Sequence, residues 1–283
     1  MNYDFITIND DIYPEYLKEI SDPPEKLYYK GNLELLKSER MIAVVGTRNP
    51  SSYGKLCCEY MIKKMSKADI TIVSGFAKGI DSIAHKTSLI TGTKTIAVIA
   101  SGLDIVYPAS NLSLYKEIEE KGLILSEYEA GTKPFKGNFP QRNRIIAGLS
   151  KGIIVVESKD RGGSLITADL ALEYNRDVYA VPGDIFSEYS KGCNSLIRDA
   201  KAKSLSNIKE LLEDYNWEIK EEAKLKVSKN QQLILDSLSS EKSLDKILEE
   251  TKIDQTEILS ELINLEIMGL IKSIAGGRYK KIL

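Results

Sequence analysis

The chain has 283 residues, of which 42% are hydrophobic and 28% are charged, and its net charge at pH 7 is −2. That length suits one large and one small domain of an ordinary soluble protein, and no apolar run reaches the ~18 residues of a membrane span. The single histidine, His85, excludes HExxH zinc sites and multi-histidine metal centres.

Residues 1–38 are predicted to be a short preamble with mixed helix signals, too small to fold alone. The segment is acidic, with four Lys or Arg against eight Asp or Glu, and lacks the pattern of a signal peptide. Elsewhere the three cysteines show no CxxC spacing and no sign of a structural disulfide. They are Cys57, Cys58 and Cys193. We therefore expect a cytoplasmic protein with no membrane contact.

Residues 39–210 alternate short apolar runs with helical stretches. The predicted strands are residues 41–46, 71–75, 95–102, 123–128, 152–158 and 178–183. The predicted helices lie near residues 54–67, 79–90, 110–121, 141–149 and 164–175. This alternation is typical of a parallel sheet covered on both faces. It predicts a Rossmann-like, doubly wound α/β domain with a mainly parallel sheet, whose ligands bind at the carboxyl ends of the strands.

A charged linker is predicted at residues 211–227, and residues 228–283 have the pattern of a small C-terminal winged-helix domain. The pattern contains three helices and a hairpin that turns at Gly276-Gly277. The third helix begins at the N-cap Asp254 and carries four acids but no Lys or Arg before Met268. Because a recognition helix must approach phosphates, we expect this domain to bind protein or to be a weak accessory.

Residues 46–55 follow the first strand of the α/β domain and are rich in Gly, Ser, Thr and Asn. Such residues supply a tight turn, a helix N-cap and free backbone donors for one phosphate, and Arg48 adds a fork-shaped donor. Thr47 and Ser52 belong to the same turn. The spacing matches neither a Walker A loop nor GxGxxG, so no nucleotide cofactor is predicted. The alternative is an ordinary strand–helix turn with a surface arginine.

Residues 131–144 form the strongest candidate, because four cations and two phenylalanines occur there without an acidic residue. The cations are Lys133, Lys136, Arg142 and Arg144. Cations along a loop can follow phosphates while exposed rings stack on bases, which holds a single strand without much sequence reading. We favour stacking for Phe139, whereas for Phe135 stacking and anchoring in the core are equal alternatives.

Residues 161–167 follow another strand and open a helix. Two glycines, among them Gly163, and a predicted N-cap at Ser164 indicate a second anion cradle, which extends to Thr167. An ordinary capped turn is an equally good interpretation of any single residue here. The turns of residues 46–55 and 161–167 and the basic segment of residues 131–144 are expected to lie at the same edge of the sheet.

Ser74, Asp81 and His85 allow a hydrolytic triad to be drawn, with Asp81 and His85 four positions apart on a predicted helix. However, no GxSxG elbow precedes the serine and nothing specifies an oxyanion hole. A structural ion pair or a helix-packing role is therefore favoured.

Residues 139–150 have the sequence FPQRNRIIAGLS, and GSLITA follows at 163–168. With further stretches in the same order, these motifs resemble the DprA/Smf family of DNA-processing proteins. The further stretches are residues 44–48, 74–85, 101–108, 178–184 and 191–201. The resemblance implies a homodimer that binds single-stranded DNA and loads a RecA-type recombinase, typically during natural transformation. The family's DNA pocket maps onto Arg48, Lys136, Asn138, Phe139, Arg142, Asn143 and Arg144, and we extend it to Gly163 and Ser164.

The expected function is therefore a non-catalytic single-strand binder and recombinase loader. The alternative is a nucleotide-binding sensor or a nucleosidase-type enzyme on a similar fold, which would need an acid beside the sugar. Candidate acids are Glu127, Glu157, Asp169 and Asp184. The PGGxGTxxE pattern of such nucleosidases is absent from the sequence. A transcription regulator acting through the winged domain is a third class, against which the acidic third helix argues.

Overall fold

The computed structural model describes residues 3–218, 227–274 and 276–282, which belong to a large unit, Met1–Lys220, and a small unit, Glu221–Leu283. Within the described residues the large unit has a nine-stranded sheet with helices on both faces. Its strands are Phe5–Thr7 (β1), Lys26–Gly31 (β2), Met41–Val45 (β3), Thr71–Ser74 (β4), Thr95–Val98 (β5), Leu123–Ser126 (β6), Gly152–Val155 (β7), Asp177–Ala180 (β8) and Lys203–Ser204 (β9).

The strand order is β1-β2-β6-β5-β4-β3-β7-β8-β9, and all pairs from β6 to β9 are parallel. The chain moves outward from β3 to β6 and then returns to β7, beside β3. In a doubly wound sheet this reversal opens a crevice at the carboxyl ends of the two central strands. The predicted α/β fold class is confirmed.

Helices cover both faces because the central strands are apolar on both sides. In β3, Ala43 and Val45 face one core, whereas Ile42 and Val44 face the other. The helices are Glu15–Lys18 (α1), Ser52–Met65 (α2), Ile80–Thr91 (α3), Leu112–Lys121 (α4), Asn138–Leu149 (α5), Gly163–Glu173 (α6), Lys191–Arg198 (α7) and Ile208–Asp214 (α8). Helices α1, α5, α6 and α7 pack on one face, and α2, α3, α4 and α8 pack on the other.

The N-terminal segment differs from the expected preamble, because it belongs to the sheet and to the core. Strand β2 pairs antiparallel with β6, with Tyr28 opposite Ser126. Leu17 and Leu27 are fully buried, and the buried Tyr13 hydroxyl donates to the Pro24 carbonyl at 2.7 Å. A strand of this kind depends on a partner far along the chain, so the local pattern of residues 1–38 does not reveal it.

The expected linker also begins with ordered structure. Leu211 and Leu212 are buried in α8, and Tyr215 and Trp217 pack against the same core. Residues 219–226, which make up most of the rest of the predicted linker, lie outside the described residues.

The small unit has helices Lys229–Ser237 (α9), Leu244–Thr251 (α10) and Gln255–Ile267 (α11), with strands Lys242–Ser243 (β10), Ile271–Ile274 (β11) and Arg278–Lys281 (β12). Its sheet has the order β10-β12-β11, and Asp254 caps α11 by accepting a hydrogen bond from the Thr256 amide at 2.9 Å. Two acids of α11 bond to α9, since Glu257 accepts from Asn230 and Glu261 from Gln231. Across the described ranges, no helix is long and apolar enough to cross a bilayer.

Replacing the buried Leu27 tests whether β2 is part of the folding unit. The Leu27→Ala variant should lose about 2–5 kcal/mol of unfolding free energy, because it leaves a cavity in the core. Urea unfolding followed by Trp217 fluorescence measures the loss, because Trp217 lies in the same unit. The matched control is Leu56→Ala, whose side chain is 65% exposed and whose loss should stay within about 0.5 kcal/mol. If the two variants unfolded at the same urea concentration, the placement of β2 in the cooperative core would be contradicted.

Candidate nucleic-acid interface

The crevice at the carboxyl ends of β3 and β7 opens into a groove of about 670 Å³. Its walls come from the loop after β3, the turn after β7 and the first half of α5. The structure brings together here most of the residues that the sequence singled out. They are Thr47, Arg48, Lys136, Phe139, Arg142, Asn143, Gly163, Ser164 and Thr167.

Helix α5 lines the groove with the side chains of one of its faces. It begins at Asn138, three residues earlier than the sequence predicts, so residues 138–140 of the basic segment are helical rather than part of a loop. Positions 139, 142, 143 and 146 follow the i, i+3, i+4, i+7 spacing of a single helix face, and all four line the groove. The groove wall is therefore a helix face with a fixed presentation of side chains.

The groove lining is strongly cationic. Five Lys or Arg side chains line it against one carboxylate, that of Asp81. The cations are Arg48, Lys136, Arg142, Lys159 and Arg161. Arg48, Lys136 and Arg161 are exposed, and none has an ion-pair partner within the described residues. Cations that protrude without a partner are available to a polyanion.

An aromatic cluster lies at the mouth of the groove. The Arg48 guanidinium lies 5.2 Å from the centroid of the half-buried Phe139 ring. The ring of Tyr107, which is half-exposed, lies 5.8 Å from that of Phe139. The same three side chains line a smaller adjoining cavity of about 120 Å³. Arg48 and the two rings therefore place a cation and π-surfaces side by side.

Arg142 lies beneath this cluster and is held from inside the protein. Its guanidinium donates to the carbonyl oxygens of Gly75 and Val98, at the ends of β4 and β5, and its Nε donates to Asn143 Oδ1 at 3.2 Å. Burial lowers the pKa of Arg142 to about 10, so the group keeps its charge at neutral pH. It is a fixed positive charge in the floor of the groove.

Asp81, the single groove carboxylate among the described residues, accepts a hydrogen bond from the Ala77 amide at 3.2 Å. Burial raises the pKa of Asp81, and the neighbouring Arg142 guanidinium opposes that shift. A Cβ on Gly75 would stand 2.7 Å from Asp81 Oδ2 and 2.8 Å from Arg142 Nη2. Glycine at position 75 therefore allows the two charged groups to approach each other beneath the groove.

Three of the expected DNA-binding residues do not line the groove. Arg144 is buried and pairs with Glu127 and, at 3.0 Å, with Asp22. Asn138 Nδ2 donates to the Ala100 carbonyl at 3.2 Å. Ser52 is exposed in the first turn of α2, outside the groove lining. The contacts of Arg144 and Asn138 hold the loops around the groove in place, so both residues have structural partners.

The phosphate site predicted at the start of α2 is already filled by the protein. Ser51, the N-cap, donates through its amide and its hydroxyl to the buried Glu157 carboxylate, at 2.9 and 2.5 Å. A Cβ on Gly54 would stand 2.2 Å from Glu157 Oε2, so the carboxylate lies directly over the first turn. An internal anion thus occupies the positive end of α2, and the expectation of a free phosphate cradle there is wrong.

The start of α6 is different because no side chain caps it in the described part of the chain. Gly162, and not Ser164, is the N-cap residue, and it has no side chain to bond to the amides of the first turn. The Ser164 hydroxyl instead donates to Ser158 Oγ at 3.0 Å. Gly163 has open space where a Cβ would be. This helix end, which faces the groove, therefore retains free donors for an anion.

The hydrolytic triad is not assembled. His85 Nδ1 is 2.8 Å from Thr95 Oγ1, and Ser74 donates to the Val44 carbonyl at 2.7 Å. His85 is fully buried, and burial lowers its pKa to about 3. Its Nε2 has no partner in the described part of the chain. Of the two structural roles favoured for Asp81 and His85, the ion pair is not formed, because a neutral imidazole bonds to Thr95 instead, and both residues are buried in helix packing.

Sequence reasoning assigned no binding role of their own to three lining residues, Tyr107, Lys159 and Arg161. Arg161 begins the turn already singled out after β7 and Lys159 lies two residues before it, so this proximity was the available signal. Tyr107 lies on the loop after β5, and its place beside Phe139 depends on the pairing of β5 with β6. No local pattern reveals a contact of this kind.

Comparisons with known proteins find the same family that the sequence motifs resemble. A family model described as DNA recombination-mediator protein A matches residues 4–216. The DNA processing protein DprA of Streptococcus pneumoniae is 48% identical over 211 residues, which are 75% of this chain and 74% of that protein.

Two solved structures are similar in fold. That of DNA processing protein A from Streptococcus pneumoniae has a TM-score of 0.73 and 47% identity, covering 77% of this chain and 75% of that one. That of DNA processing protein A from Helicobacter pylori, described as giving insight into a unique single-stranded DNA binding mode, has a TM-score of 0.69 and 32% identity. It covers 77% of this chain and 99% of its own.

The buried His85, which does not line the groove, allows a test of the protonation state of the core. Because the unfolded chain takes up a proton near pH 6.5 and folded His85 does so only near pH 3, stability should fall as pH decreases below about 6.5. The contribution of His85 should approach about 1.4 kcal/mol per pH unit, and His85→Gln should remove it. The measurement is urea unfolding between about pH 7 and pH 5. NMR signals of this one imidazole that titrate near pH 6.5 in the folded protein would contradict its buried, neutral state.

Proposed function

This chain belongs to the DprA/Smf family, and from that premise we propose that it is a non-catalytic protein that binds single-stranded DNA in the groove between β3 and β7. The observation that carries the proposal is the groove lining, in which five cations and the Phe139 ring accompany a single carboxylate among the described residues. The Helicobacter pylori relative, whose structure is described by its single-stranded DNA binding mode, supports the same conclusion.

The exposed cations and the free helix end would hold the sugar–phosphate backbone. Arg48 and Lys136 lie on one side of the groove, and Arg161 and the open start of α6 come from the turn after β7. Phosphates can bind to both sides because a single strand is flexible, whereas a duplex keeps its phosphates at fixed spacings. Arg142 adds a fixed charge from below, which strengthens the attraction without the entropy cost of ordering a long side chain.

The rings of Phe139 and Tyr107 would stack on bases, which requires bases that are not paired. The small cavity lined by both rings adjoins the groove and is bounded by Pro108 and Pro134. Stacking is tolerant of sequence because every base has a π-face. We therefore expect a preference for single over double strands and little preference among sequences.

Binding without catalysis is supported by the contacts of the four acids that are candidates for a nucleosidase-type reaction. Glu127 pairs with Arg144, Glu157 bonds to Ser51, Asp169 pairs with Lys201, and Asp184 accepts from the Phe186 amide. None of these four acids lines the groove. A free nucleotide would also leave most of the cationic lining unused, so a polymer is the better match.

We further propose that the chain works as a homodimer in the cytoplasm and loads a RecA-type recombinase, as in natural transformation. The description of the matching family as recombination mediators supports the partner, and three free cysteines support a reducing compartment. Burial raises the pKa of the Cys193 thiol to about 12, so this thiol stays protonated and unreactive.

Replacing groove residues tests the binding proposal. Arg48→Ala, Lys136→Ala and Phe139→Ala should each weaken binding to an oligothymidylate, measured by fluorescence anisotropy. Only the two cation variants should also flatten the plot of log affinity against log salt, by about 0.7 for each phosphate that is no longer neutralised. Phe139→Ala should weaken binding about 5- to 150-fold with an unchanged slope, since stacking is worth ~1–3 kcal/mol per base.

The control for this series is Lys116→Ala, which removes an exposed cation from α4, outside the groove. It should leave affinity and salt slope unchanged. Equal reductions in affinity for Lys116→Ala and Arg48→Ala would mean that general positive charge and not the groove binds DNA. Tight binding of a free nucleotide without binding of oligonucleotides would favour the sensor alternative.

Recombinase loading makes a separate prediction. The wild-type chain should shorten the lag of RecA filament assembly on strands precoated with a single-strand-binding protein, measured by ATP hydrolysis. Arg48→Ala should lose most of this effect, because the mediator must hold the strand first. Normal strand binding with no effect on the lag would reject the loading role alone.

A further inference from the structure

The loop of residues 131–137, which precedes α5, displays a phenylalanine to solvent. Phe135 is 70% exposed, whereas Phe139, four residues later, is half-buried against Arg48. The described residues form no aromatic or cation–π contact with the Phe135 ring. Burying such a ring would gain about 1.5–3 kcal/mol, and this fold forgoes that gain. Anchoring in the core, one of the two alternatives for this residue, is thus wrong.

The loop that carries the ring is held at several points. The Gly131 amide donates to Asp104 Oδ1 at 2.9 Å, and the Gly102 amide donates to the Thr132 carbonyl at 2.9 Å. At the other end, the Asn138 amide donates to the Phe135 carbonyl at 3.0 Å. The ring also lies beside Gly137, where an added Cβ would stand 3.5 Å from two ring atoms. The exposed ring is therefore presented by an ordered backbone.

The surroundings of the ring are cationic and continuous with the groove. Lys133 and Lys136 flank it, both are exposed, and neither has an ion-pair partner in the described ranges. The preceding Pro134 lines the small cavity beside Phe139, and the following Lys136 lines the main groove. A strand that leaves these cavities over the loop therefore meets Phe135 next.

From this arrangement we infer that Phe135 is an outer stacking platform for one unpaired nucleobase, just beyond the groove. The inference rests on the proposed binding of single-stranded DNA and extends its footprint. A base is favoured over a second copy of the chain, because a symmetric contact through this loop would bring four lysines together. A base attached to phosphates pairs the ring with a π-face and both lysines with negative charge.

Strand length provides the test. Wild type, Phe135→Ala and Phe139→Ala are titrated with oligothymidylates of about 4 to 20 nucleotides, a range that brackets the site sizes of single-strand binders. Phe139→Ala should bind more weakly at every length that the wild type binds. Phe135→Ala should match the wild type on the shortest binding strands and bind longer ones about 5- to 150-fold more weakly, with an unchanged salt slope.

A second variant reports the stacking itself. Phe135→Trp should keep wild-type affinity, and its added fluorescence should be quenched by long but not by the shortest binding strands. The wild type, whose single tryptophan is Trp217, provides the background signal. The control for removal of an exposed apolar side chain is Ile90→Ala, because Ile90 is 82% exposed near the end of α3, at the opposite edge of the sheet. That variant should bind as the wild type does at every length.

The outcomes separate this inference from the function on which it rests. If the wild type binds but Phe135→Ala matches it at all lengths and Phe135→Trp is not quenched, the platform is rejected and the groove stands. If Phe135→Ala changes the molecular mass of the DNA-free protein in solution, the ring contacts another copy and the inference fails. Wild-type protein that binds no oligonucleotide at any length would overturn the proposed function and the platform together.

Discussion

Charges buried at the carboxyl edge of the sheet must find partners inside the protein, because an unpaired buried ion costs several kcal/mol. Arg142 is held by two strand-end carbonyls, Arg144 by Glu127 and Asp22, and Glu157 by Ser51. Each of these contacts joins segments that are distant in sequence. Together they fix the relative positions of the loops after β3, β4, β5 and β6, on which the shape of the groove depends.

The buried charges have partners inside the protein, so the exposed cations determine which ligands the groove can bind. Arg48, Lys136 and Arg161 protrude without ion-pair partners in the described residues, whereas the acids nearby are engaged elsewhere. The starts of α2 and α6 differ in the same way. Glu157 neutralises the start of α2, which lies outside the groove lining, whereas the start of α6 faces the groove and keeps its amide donors free. A net charge of −2 for the chain is thus compatible with a strongly positive groove.

The basic segment shows how far the sequence could predict the site. Its composition indicates cations and rings at one edge of the sheet, and the helix predicted near residues 141–149 leaves residues 138–140 in a loop. In the structure α5 starts at Asn138, and successive residues of a helix point about 100° apart. Arg142 and Arg144, two positions apart, therefore point to nearly opposite sides: one lines the groove and the other pairs with Asp22 and Glu127. The helix predicted near residues 141–149 already contains both arginines, so a helical wheel of that helix separates them.

The sequence by itself determined the alternation of apolar strands and helices, the glycine turns after β3 and β7, and the family motifs. These follow from local chemistry, namely side-chain periodicity and backbone freedom, which a short window contains. Only the tertiary structure decided that β1 and β2 complete the sheet, that Glu157 fills the α2 terminus, and that Phe135 faces solvent. Each of these outcomes depends on contacts, or their absence, between residues distant in the chain, and no local pattern records which partner a residue will meet when the chain folds.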